Sequence, residues 1–120
     1  MNLYELNRYL SAVTLTMPQL FPERMPDFNL YSVADLVEYK DNKPTEKVIG
    51  QRFCTVDPKD EYKKYVIKVK CDKPLITMEQ IQQKGGLIKI NFKNLTGKIY
   101  RKNENIYEFS YSADGIEVVQ

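Results

Sequence analysis

The sequence predicts a mainly β protein: a five-stranded Greek-key barrel with a short helix between its third and fourth strands and an N-terminal helical arm. Three observations predict it. A chain of 120 residues supports one hydrophobic core and little more. Hydrophobic residues make up 42% and charged residues 28%, the balance of a globular chain and not of a disordered one. From Leu30 onward, apolar residues alternate with polar ones between turn-forming clusters, and the period becomes helical only after Pro74.

Residues 1–29 read as the arm and 30–120 as the barrel. Asn2 caps a short amphipathic helix, Glu5 stands at capping-box spacing, and Leu3, Leu6 and Leu10 recur on one face. Pro18, Pro22 and Pro26 then forbid a helix or a central strand. Leu20, Phe21, Met25 and Phe28 make this stretch too apolar for a free linker, so it is expected to pack on the domain or on a neighbouring subunit.

The first strand is expected over Leu30–Tyr39, with a turn at Lys40-Asp41-Asn42-Lys43-Pro44. The second covers Lys47–Val56 and turns at Asp57-Pro58-Lys59-Asp60. The third, Tyr62–Cys71, alternates most clearly: Tyr65, Ile67, Val69 and Cys71 face one way, Lys64, Val66, Lys68 and Lys70 the other. Ile76–Gln83 reads as a helix with Thr77 as cap and Gly85-Gly86 as its end. Leu87–Leu95 is the fourth strand, with a bulge or bend at Gly97 before it resumes at Lys98. After a turn at Lys102-Asn103-Glu104-Asn105, the fifth strand, Ile106–Ser112, puts Tyr107, Phe109 and Tyr111 on one side. Asp114-Gly115 leads to a last apolar piece, Ile116–Val119.

Composition removes several function classes. Histidine is absent, which excludes Ser-His-Asp and Cys-His catalysis and histidine-bearing metal sites. Cys54 and Cys71 form no C-x-x-C, and counting outward from the turn puts them opposite about Tyr65 and about Val48, too far apart for a bridge. Asp35, Glu38 and Asp41 are scattered acids, and Gly85-Gly86 lacks phosphate-loop context. No enzyme, cofactor or metal is expected. The stretch Leu10–Phe21 is too short and polar to span a bilayer, and Met1 leads into Glu5 and Arg8 without an apolar run, so a cytoplasmic protein without membrane contact is expected.

The net charge of +2 conceals an uneven distribution. Residues 1–45 carry −2, and residues 103–120 carry −4. Residues 46–102 hold fourteen Lys and Arg against six Asp and Glu, a net +8. A basic middle between acidic ends points to a polyanion-binding face. The order of three strands, helix and two strands is that of the OB-fold, whose second and third strands and flanking loops bind oligonucleotides. Topology and charge therefore converge on Lys47–Val56, Tyr62–Cys71 and the loops at 40–45 and 102–105.

The run Asn42-Lys43-Pro44, then Gln51-Arg52-Phe53-Cys54-Thr55-Val56-Asp57, Glu61-Tyr62 and Ile67-Lys68-Val69-Lys70-Cys71-Asp72 resembles the single-stranded DNA-binding proteins of filamentous phages, the gene V type. The resemblance covers residues 42–72 and is looser through 87–119. The chain departs from that family in Phe53 and Thr55 around the cysteine, in its arm, in a longer helical insertion and in extra lysines. Small OB-fold proteins of phages and conjugative plasmids look similar at this level. The resemblance implies a protein that coats single-stranded DNA during replication or conjugation.

Lys64, Lys68 and Lys70 are the leading phosphate contacts, since the alternation puts them on one face. Lys47, Arg52, Lys89, Lys93, Lys98 and Arg101 are further candidates. If Cys54 and Val56 point inward, Phe53 and Gln51 face the ligand and Phe53 offers a ring for stacking; in the alternative, Phe53 is core and Cys54 points out. Tyr62, Tyr39, Tyr100 and Tyr107 border the turns where a base would lie. The expected function is non-sequence-specific binding of single-stranded DNA, with RNA as a possible ligand and homo-oligomers formed through the arm. The alternative is a small phage or plasmid interaction protein that binds and inhibits a host protein; the basic middle argues against a DNA mimic.

Overall fold

Turn chemistry sets the strand boundaries. The computed structural model describes residues 13–103 and 106–119; the helix expected over the first dozen residues, and Glu104-Asn105 of the expected turn, lie outside them. Strand β1 (Leu15–Thr16) leads into a single helical turn, α1 (Met17–Leu20), and β2 (Asn29–Lys40) follows the proline-rich stretch. Asp41 (φ 53°) and Asn42 (φ 62°) both adopt the left-handed conformation of a two-residue hairpin turn. This tight connection starts β3 at Lys43, four residues before the expected Lys47, and carries it to Asp57. Next comes a 3₁₀ turn, Pro58–Asp60, in which the Asp57 carboxylate accepts the Lys59 N–H at 3.0 Å. Glu61 and Tyr62, also left-handed, reverse the chain into β4 (Lys63–Lys70).

Helix α2 (Met78–Gln83) begins in a reciprocal capping box. Thr77 Oγ1 accepts the Gln80 N–H at 3.2 Å, and Gln80 Oε1 accepts the Thr77 N–H at 2.9 Å. Gly85 and Gly86 (φ 90° and 91°) close it, with the Gly86 N–H donating to Ile81 O at 3.0 Å. The remaining strands are β5 (Ile88–Lys93), β6 (Thr96–Asn103), β7 (Ile106–Ala113) and β8 (Gly115–Val118).

The strands form one sheet in the order β1-β6-β7-β4-β3-β2-β5-β8. All pairs are antiparallel except β4–β7. The expected five-stranded barrel is thus corrected to an eight-stranded sheet. Asn94, at φ 52°, divides the expected fourth strand into β5 and β6. The expected fifth strand forms β7, and the last apolar piece expected after the Asp114-Gly115 turn forms β8, pairing with β5. Leu15 and Thr16 add β1 by pairing with Gly97 and Thr96. The bend expected at Gly97 falls at Asn94 instead, and Gly97 serves close approach: a Cβ there would lie 2.8 Å from Leu20 Cδ2. Strands β5–β6 and β7–β8 pair as one bent hairpin, whose register passes from Lys93↔Gly115 to Thr96↔Ser112.

The core lies under β3, β4 and β5. Phe28 meets Phe92 edge-on at 5.0 Å and Tyr65 at 5.7 Å, and Phe53 meets Phe92 at 6.1 Å. Phe21 packs edge-on against Tyr65 and stacks on Tyr111. Phe21 and Phe28 of the expected arm therefore belong to this chain's own core, and the boundary expected between residues 29 and 30 falls inside β2. Among the described residues, no helix is long and apolar enough to cross a membrane.

Candidate nucleic-acid interface

Strand β4 divides its side chains as its alternation predicts. Tyr65, Ile67 and Val69 are buried, while Lys64, Val66, Lys68 and Lys70 are exposed on the outer face. The antiparallel register with β3 places Val56 beside Lys64, Cys54 beside Val66, Arg52 beside Lys68 and Gly50 beside Lys70. On the other side, β7 runs parallel to β4 and sets Ser112 beside Lys68. Strand β6 then adds Lys98 opposite Ser110 and Tyr100 opposite Glu108.

Two depressions mark this face. One, of about 780 Å³, is lined by Arg52, Lys64, Lys68, Tyr100 and Ser110, among others. The second, of about 610 Å³, shares Lys68 and Ser110 with it and extends to Lys70, Lys98 and Tyr39. Leu36, buried on β2, contributes to the second depression rather than to the main core.

The electrostatics of the face are one-sided. Among the described residues, Arg52, Lys64, Lys68, Lys70 and Lys98 make no salt bridge to a carboxylate; Arg24, Lys47 and Lys89, away from this face, each do. Packing like charges on one surface costs stability unless an anion binds there. Of the described residues, two acids line the depressions: Asp114, which accepts from Asn94 Nδ2 at 2.9 Å, and Glu108, which accepts the Tyr100 hydroxyl. That hydrogen bond, then burial and the Glu108 charge, raise the Tyr100 pKa, so the phenol stays neutral and keeps its donor.

Of the residues nominated from sequence, the fold gathers Arg52, Lys64, Lys68, Lys70 and Tyr100 on one face. Phe53 and Gln51 are corrected: both are buried. The register set by the Asp57 turn pairs Phe53 with Ile67, so this side of β3 faces the core and Cys54 faces out. Gln51 clamps the approach to α2, donating to Ile76 O and accepting the Leu75 N–H, both at 2.7 Å. Lys47 lies away on the β2–β3 hairpin, 3.7 Å from Glu38. Tyr62 is exposed in the turn before β4 and lines neither depression. Lys89 and Lys93 are on β5, between β2 and β8, and Lys89 Nζ sits 3.2 Å from Asp27 Oδ1 without hydrogen-bond alignment. Arg101 has the opposite parity to Tyr100 on β6 and donates to Asn103 O.

Sequence reasoning passed over Ser110, Ser112, Phe109 and Tyr111 as site residues. Their alternation was visible, but only the parallel β4–β7 pair brings them beside the lysines. Among the described residues, no group of three His, Cys, Asp or Glu side chains is placed to hold a metal ion. Comparison of the chain with protein-family models, characterised proteins and solved structures finds no match.

Proposed function

We propose that this chain binds single-stranded DNA without sequence specificity, on the outer face of β3, β4, β6 and β7, as a non-enzymatic coat protein of a phage or other mobile element. The observation that carries the reading is the set of five cations without carboxylate partners on one concave face, with Tyr100 and Tyr39 among them. Lysine and arginine release counterions from phosphates, and exposed rings stack on any base.

The strand pairings support a related proposal about the fold. If β5–β6 and β7–β8 count as two bent passes, the chain makes five, and their contacts close a ring: β2–β3, β3–β4, β4–β7, the bent hairpin, and β5–β2. That order of passes is what supports an OB-fold-like reading of the eight-stranded sheet. It agrees with the resemblance to the filamentous-phage proteins and with a face on the second and third passes. Self-association through the arm stays in the proposal only for residues ahead of β1, since Phe21 and Phe28 are built into this chain's own core.

The test is a titration of oligo-dT, duplex DNA and RNA across a range of salt. Single strands should bind tightest. With five phosphate contacts, log affinity should fall against log salt with a slope of about −3.5. Absence of oligo-dT binding at low salt refutes the reading, and tighter binding of RNA reassigns the ligand.

A further inference from the structure

The parallel pairing of β4 and β7 is short. It holds at Ile67↔Tyr111, Lys68↔Ser112 and Val69↔Ala113, although β4 starts at Lys63 and β7 at Ile106. Ahead of the paired residues the strands leave a slot, and the 780 Å³ depression occupies it. Because it opens between strands, it is lined from both faces of the sheet: Lys64, Lys68 and Tyr100 from the outer face, Phe109 and Tyr111 from the core side.

The two walls differ chemically. The β4 wall is cationic. The β7 wall is a column of rings: Phe21 stacks on Tyr111 at 6.0 Å and 19°, and Tyr111 on Phe109 at 5.8 Å and 25°. Phe109 is 45% exposed, so the column ends at a ring partly open to solvent beside the lysines. A planar ligand that is anionic at one end satisfies both walls, and a nucleotide has that form. The Glu108 carboxylate, on β7 but on the outer face opposite Tyr100, repels phosphate from β7 and favours β4 for the backbone.

We propose that the slot between β4 and β7 is a base-binding subsite, in which a nucleobase adds to the Phe109 end of the ring column while its flanking phosphates lie on Lys64 and Lys68. The inference rests on the single-strand reading above and adds Phe109 as a stacking residue and a direction across the face, backbone on β4 and bases toward β7.

The experiment compares an oligo-dT with an abasic oligomer of equal length, for the native chain and for Phe109→Ala, Phe109→Leu and the double variant Lys64→Gln/Lys68→Gln. The native chain should prefer oligo-dT by about tenfold. Both Phe109 variants should lose most of that preference with an unchanged salt slope; the leucine keeps apolar bulk in case the alanine disturbs packing. The lysine variant should keep the preference and flatten the slope by about 1.4. A Phe109→Leu protein that binds oligo-dT with the full preference overturns the subsite and leaves the single-strand reading standing. A native chain that binds neither oligomer overturns both.

Discussion

Arg52 on β3 stands directly across from Lys68 on β4, two exposed cations at one register position on the outer face. Like charges in that position repel and weaken a sheet by about 0.2–1 kcal/mol. The pair is thus a local cost to folding that a bound anion would offset. Lys68→Thr should raise the urea midpoint, by up to about 1 kcal/mol of stability, and flatten the salt slope of single-strand binding by about 0.7. A variant that is less stable and binds as before would separate this face from anion binding.

Phe53 is buried in the core, opposite Ile67, with no measurable exposure. Phe53→Ala should cost about 3–5 kcal/mol, measured by chemical denaturation. Gln51→Ala should cost less, about 1–3 kcal/mol, by leaving the Leu75 N–H and Ile76 carbonyl unsatisfied. A stable Phe53→Ala protein with weakened DNA binding would restore the ring to the surface.

These two residues also show where the sequence stops being legible. Strand β4 was readable because lysines fall on one parity and large apolar residues on the other. Strand β3 was not: its inward set is Gln51, Phe53, Thr55 and Asp57, and its outward set includes Cys54 and Val56. The buried polar members rely on partners away from their own strand. Thr55 donates to Tyr65 O, and Asp57 holds Arg24 at 2.9 Å. No local period encodes those partners, so parity alone could not decide which side was wet. The charged face was legible because lysines cluster in sequence; the ring column was not, because it joins Phe21 to residues some ninety positions later.

Alkaline pH should weaken the fold through Tyr111. Burial, and secondarily Tyr65, push its pKa up to about 12, against about 10 for an ordinary tyrosine. The unfolded chain therefore releases this proton before the folded one does. Its contribution is fully present below about pH 10 and is lost as pH rises toward 12. Urea midpoints should fall between about pH 10 and about pH 12, and Tyr111→Phe, which keeps the ring, should fall less steeply. Parallel falls for the two proteins would mean the phenol does not couple to folding.

Cys54 supplies a reporter placed by the fold inside the candidate face. Its side chain lies half-buried between Arg52 and Val56 and opposite Val66, whereas Cys71 follows the end of β4 with its N–H on Ile49 O at 3.1 Å. Both thiols are free, so both should react with a thiol reagent after denaturation without reductant. In the native protein they should behave differently. Burial, then the Asp72 charge, push the Cys71 thiol up, which lowers its thiolate fraction and slows it at neutral pH. That slowness should not depend on nucleic acid. Cys54 should react with the uncharged N-ethylmaleimide in the free protein and be protected several-fold by saturating oligo-dT, because a strand lying on Arg52 and Lys68 covers the position between them. Peptide mapping of the alkylated sites separates the two thiols. If saturating DNA leaves Cys54 as reactive as before, the strand does not cross the β3–β4 face.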